Sequence, residues 1–155
     1  IDIVAEVNNF KEQAKNFLVR DGKLAPVVFG ILPTGETIVA PLTFKNTEEK
    51  YEQFASLEKL FKEKEVTGCI AIFESWLVTG EKAKGKMFTV PPSEHPERQE
   101  CICVNGKIPG RTYTVMIPFE RKGKGIKFNE EVVFDSTSGY ELKDNLLGEL
   151  FIEFH

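Results

Sequence analysis

Apolar residues in the first twenty positions recur at helical spacing. Ile3, Val7, Phe10, Ala14, Phe17 and Leu18 form one stripe across Asp2–Arg20, and Asp21-Gly22 supplies a stop. The pattern then changes. Leu24–Leu32 is dense in Val, Phe and Ile, Pro33-Thr34-Gly35-Glu36 carries turn chemistry, and Thr37–Leu42 resumes the apolar run. This predicts a β-hairpin, with Pro26 and Pro41 near its ends, where a missing N–H harms a ladder least. Asn46 stands three residues ahead of Glu49, as in a capping box, and opens a second predicted helix that runs to about Lys64. Tyr51, Phe54, Leu57, Leu60 and Phe61 fall on one side of it, Glu and Lys on the other.

Thr67–Trp76, TGCIAIFESW, reads as the central strand of the chain. Glu100–Val104 reads as another, which turns through Asn105-Gly106 and Pro109-Gly110 into Arg111–Phe119. There Tyr113, Val115, Ile117 and Phe119 alternate with Thr112, Thr114 and Met116, and Pro118 implies a strand end or a sheet edge. A turn at Arg121–Gly125 leads to Ile126–Phe134, with Ile126, Phe128, Val132 and Phe134 expected on one face. Leu142, Leu146, Leu147, Leu150, Phe151 and Phe154 predict a last helix over Tyr140–Phe154, which Gly148 weakens by about 1 kcal/mol relative to Ala. The order α-β-β-α-β-β-β-β-α lacks crossover helices between its later strands. It predicts an α+β fold over residues 1–155: one domain, one antiparallel sheet of about five strands, helices packed on it. This order is similar to that of roadblock and profilin-like domains, a likeness of topology alone.

Composition narrows the function classes. A chain of 155 residues, 41% apolar and 28% charged, fits a soluble globular domain, and its net charge of -4 argues against nucleic acid as a partner. No apolar run approaches the roughly 18 residues of a membrane span. Asp2, Glu6, Asn8 and Asn9 interrupt any apolar signal-peptide core, and an opening on Ile1 reads as a trimmed start. The three cysteines, Cys69, Cys101 and Cys103, with His95 and His155 as the only histidines, fit neither a disulfide framework nor a zinc site. They are expected under a helix, as small apolar residues in a reducing cytoplasm. No cofactor is expected. Gly80–Lys86 resembles a phosphate loop, but Met87 stands where Ser or Thr is required. Glu74 with His95 lacks the further histidine and aspartate of a JAB-type metalloprotease, and no G-x-S-x-G is present.

One constellation carries candidate chemistry. Glu74 occupies an apolar position of the central strand, on the same face as Ile70, Ile72 and Trp76 and opposite Cys69, Ala71, Phe73 and Ser75. A buried carboxylate needs a partner, and the planar fork of Arg98 is the expected one, His95 the second. Pro91, Pro92 and Pro96 restrict the segment that carries them. Glu74-Ser75-Trp76 followed by Pro92-Ser93-Glu94-His95-Pro96-Glu97-Arg98-Gln99-Glu100 resembles an E-x-W…P-S-E-H-P-x-R-x-E pattern of uncharacterised microbial and phage proteins. That resemblance implies a shared site and no activity. The candidate site is therefore Glu74, Trp76, Ser93, His95 and Arg98. The expected role is a non-enzymatic binding or protein-interaction module, homodimeric through the last helix, because Phe151-Ile152-Glu153-Phe154 is apolar where chain ends are ordinarily polar. The alternative is a small hydrolase-like enzyme using Glu74, His95 and Arg98.

Overall fold

The Asp2 carboxylate accepts the Ala5 N–H at 3.1 Å and starts α1 (Ile3–Asp21); Gly22, at φ 76°, closes it with its N–H on the Leu18 carbonyl. The same logic starts α2 (Thr47–Glu63), where the Asn46 side chain accepts the Glu49 N–H at 2.9 Å and Glu49 reaches back to the Lys45 N–H at 2.6 Å. Between the helices the hairpin forms as β1 (Val27–Ile31) and β2 (Thr37–Pro41). The computed structural model describes residues 1–77 and 98–137, and the helix expected over Tyr140–Phe154 lies outside them.

Beyond α2 come β3 (Gly68–Leu77), β4 (Gln99–Ile108), β5 (Arg111–Lys122), β6 (Gly125–Phe128) and β7 (Val132–Thr137). They join the hairpin in one antiparallel sheet, in the order β2-β1-β3-β4-β5-β6, with β7 also on β5. The α+β architecture stands as expected, but among the described residues the sheet has seven strands rather than about five. The helices take opposite faces. α1 lays Ile3, Val7, Ala14 and Leu18 on Ile70, Ile72, Ile102, Val104, Val115 and Ile117. α2 lays Phe54, Leu57 and Phe61 on Val28, Cys69, Ala71, Phe73 and Cys103. Covered on both faces, β3 reads from Cys69 to Phe73 as a continuous apolar run, and its two expected faces separate into these two clusters. Among the described residues no helix is long and apolar enough to cross a membrane.

Two expected boundaries move. Asn105-Gly106 is not a turn: β4 runs through it, and the chain reverses at Pro109-Gly110. Gly106 is there because α1 presses on it; a Cβ at this position would stand 2.4 Å from Val7 Cγ2. The second change is at Pro118. Its carbonyl accepts the Asn129 N–H at 2.8 Å, so the nitrogen of Pro118 faces the same neighbour with no proton to give. The ladder breaks there. Phe119 pairs with Phe128 but Met116 pairs with Val132, so Glu130 and Glu131 together oppose Ile117, a β-bulge that divides β6 from β7. The extra residue turns Val132 and Phe134 away from the face of Ile126 and Phe128, which contradicts the single face expected for all four. It also brings Glu131 to the α1 side, where Lys11 Nζ binds it at 2.8 Å.

Two residues of the expected helical stripes lie outside. Phe17 is 44% exposed with the Arg20 guanidinium 4.7 Å from its ring, and Tyr51 is likewise exposed.

Candidate functional site

β3 carries Glu74 and Trp76 on its α1 face, opposite Ile102 and Glu100 of β4, and Glu100 is in turn opposite Phe119 of β5. Glu74 is 8% exposed. One of its oxygens, Oε2, accepts the Leu24 N–H at 3.1 Å; the other, Oε1, lies 3.4 Å from Arg121 Nη2. Arg121 donates Nε to Glu100 Oε2 at 3.1 Å and Nη1 to the Gly22 carbonyl at 2.6 Å. A single guanidinium thus joins two carboxylates of the sheet to the carbonyl of Gly22, the residue that closes α1. The planar fork makes this possible, since its five donors point in fixed, separate directions.

This corrects the expected Glu74–Arg98 pair. Position 98 lies four residues from Ile102, the partner of Glu74, which at strand rise is roughly 13 Å along β4. Arg121 is nearer because the β4–β5 register places it just past Phe119, on the same face. The Arg98 guanidinium instead stands 4.6 Å from the centroid of the half-buried Trp76 ring, a cation–π stack at the exit of β3. Trp76 and Arg98 therefore come together, and Glu74 belongs to a different cluster. Ser93 and His95 lie outside the described residues. Sequence reasoning misses Arg121 because it falls at the start of the predicted turn Arg121–Gly125; its signal is the two-residue spacing from Phe119, which puts both on one face.

The opposite face of the same strands is polar toward one end. Asn105 donates Nδ2 to Thr114 Oγ1 at 2.7 Å, while its buried Oδ1 has no hydrogen-bond partner among the described residues. Ser75 pairs with Cys101 and Phe73 with Cys103. Burial pushes the Cys69 and Cys101 thiols up to about 12 and raises Cys103 as well; Lys107 moderates the rise at Cys69, and a backbone hydrogen bond from Ser75 does so at Cys101. None of these buried thiols is in a disulfide, and Cys69 and Cys103 pack within the apolar cluster under α2. Alkylation under native conditions is therefore expected to be slow at all three, with fast labelling only after denaturation. Because the folded thiols hold their protons above the ordinary value of about 9, their contribution to stability is intact below that pH. It falls as the pH rises toward 12. A urea series at pH 7 and pH 10 checks the sign: a midpoint unchanged at pH 10 would contradict burial of the thiols.

Among the described residues no group of three or more His, Cys, Asp or Glu side chains is placed to hold a metal ion. No protein-family model, curated protein or solved structure matches this chain.

Proposed function

We propose that the protein is a non-enzymatic binding module whose partner contacts the end of β3 through Trp76 and Arg98. The observation that carries this reading is the stack itself. A half-buried indole on a strand covered on both faces, with an exposed guanidinium over it, is an anchor of the kind that dominates interface energies. Ser93 and His95, close in sequence to Arg98, are proposed as further members of this surface. The hydrolase reading has less support, because Glu74 is engaged by Arg121 and Leu24 while Arg98 turns to Trp76.

The proposed partner is a second copy of the chain, with the apolar residues of 140–154 in the contact. Light scattering at micromolar protein should then give twice the monomer mass, and Phe151→Glu should return it to one. Trp76 is the chain's single tryptophan, so its emission reports directly on the surface. A shift of that emission on dilution through the dimer–monomer transition is expected, and Arg98→Ala should weaken the dimer by about tenfold, or 1.4 kcal/mol. A monomer at all concentrations rejects the homodimer. A dimer indifferent to Arg98→Ala, with constant Trp76 emission, rejects the Trp76–Arg98 surface.

A further inference from the structure

A second surface, independent of the β3 exit, is built on the opposite side of the sheet. β2 is the end strand, with β1 as its one strand neighbour among the described residues. Flanking bonds set the direction of its backbone groups. Leu42 N–H donates to the Pro26 carbonyl at 2.9 Å and Leu32 N–H to the Glu36 carbonyl at 2.8 Å. Even-numbered residues therefore turn toward β1, and Thr37, Val39 and Pro41 turn outward. That edge presents the N–H and C=O of Thr37 and Val39 and the carbonyl alone of Pro41. All three residues are exposed, Val39 by 56%. Ladder groups left open in this way are a template for another strand.

Beside the edge, the end of β2 and the flank of α2 enclose a groove of about 440 Å³ lined by Pro41, Leu42, Glu52, Gln53, Leu57 and Leu60. Its floor is apolar: Leu42 and Leu57 belong to the α2 core cluster and Leu60 packs against it. One wall is fixed in advance, because Gln53 accepts the Thr43 N–H at 3.0 Å and donates to Thr43 Oγ1 at 2.9 Å. Glu52 is the charged residue of the lining, and Glu36 precedes β2 at the other end.

We propose that the β2 edge and this groove bind an extended peptide with basic flanks as an added strand, its backbone on Thr37 and Val39 and an apolar side chain against Leu57 and Leu60. Backbone pairing supplies affinity in this mode, and the groove and Glu52 supply selection. A five-residue edge cut short by Pro41 suits a short peptide better than a continuous sheet between two copies.

The test uses a fluorescein-labelled peptide of alternating valine and threonine flanked by lysines, with proline-interrupted and glutamate-flanked versions as controls. Anisotropy follows binding, and amide hydrogen exchange by NMR locates it. The lysine-flanked peptide should bind and slow exchange at Thr37 and Val39. Interrupting it with proline should weaken binding by about tenfold or more, as should Val39→Pro, whose lost N–H faces outward. Glu52→Lys, at an exposed helix position, keeps the test open if Val39→Pro fails to fold: it should invert the preference toward the glutamate-flanked peptide. Absence of binding, equal binding of the proline version, or an unchanged preference in Glu52→Lys overturns the proposal. So does exchange at Thr37 and Val39 that slows with protein concentration in the absence of peptide, which would assign the edge to a second copy.

Discussion

Arg121→Met is expected to destabilise the protein by about 2–3 kcal/mol, a loss of roughly 5–10 °C in melting temperature for a chain of this size. Methionine keeps the apolar stem beside Phe119 and removes the guanidinium, so the effect reads the polar contacts. Glu74 would keep the Leu24 N–H and lose its cation, while the Gly22 carbonyl and Glu100 would each lose a donor. Breaking a buried pair costs about 3–5 kcal/mol when one charge is stranded. Arg121 is 42% exposed, so water reaches its side of the pair and the lower figure applies. Glu74→Gln in the Arg121→Met background should restore about 1 kcal/mol, because the amide oxygen still accepts the Leu24 N–H without carrying a charge. Thermal melts of the parent, Arg121→Met and the double variant decide it. If Arg121→Met melts within about 2 °C of the parent, the network contributes nothing and Glu74 is solvated in solution.

What was legible in the sequence was local. The α1 stripe with its Gly22 stop, the hairpin around Pro33–Glu36, the Asn46 cap and the two faces of β3 all follow from periodicity and turn chemistry, and each has its expected partner in space. What was not legible depends on register between distant strands. Glu74 was read correctly as a buried carboxylate in need of a cation, but the choice between Arg98 and Arg121 is made by the pairing of β3, β4 and β5. The same holds at Pro118. A missing N–H was visible, yet whether it ends a strand or bulges the neighbour depends on which side of β5 it faces. Phe17 was counted in the α1 stripe because spacing alone cannot tell the edge of a buried face from its centre. Of the candidate site, the Trp76–Arg98 contact joins a residue of β3 to the one just ahead of β4, both placed by the sequence in one pattern, and Glu74 separates from them.

Asn105-Gly106 shows the same limit most sharply, and it supports the second large prediction. As a dipeptide it is a strong turn signal, yet here the glycine is a landing site for a helix. A Cβ on Gly106 would meet Val7 Cγ2 at 2.4 Å and Ile3 Cδ1 at 2.8 Å, both on buried residues of α1. Ile3 Cγ1 is close as well, at 2.9 Å, but Ile3 opens the first turn of α1, where the helix end gives more easily than its interior. Val7 is β-branched with one favoured helical rotamer, so relief there requires α1 itself to lift from β4. Gly106→Ala is therefore expected to cost about 3 kcal/mol, at the upper end for overpacking, even though alanine suits a strand no worse than glycine does. The signature that separates overpacking from lost backbone freedom is coupling. In a Val7→Ala background the methyl has room, and the further cost of Gly106→Ala should drop below about 1 kcal/mol, a favourable interaction of roughly 2 kcal/mol in the double-mutant cycle. Urea titrations of the four proteins measure it. Additive costs would mean that α1 does not press on Gly106, and the packing of the first helix on β4 would have to be redrawn.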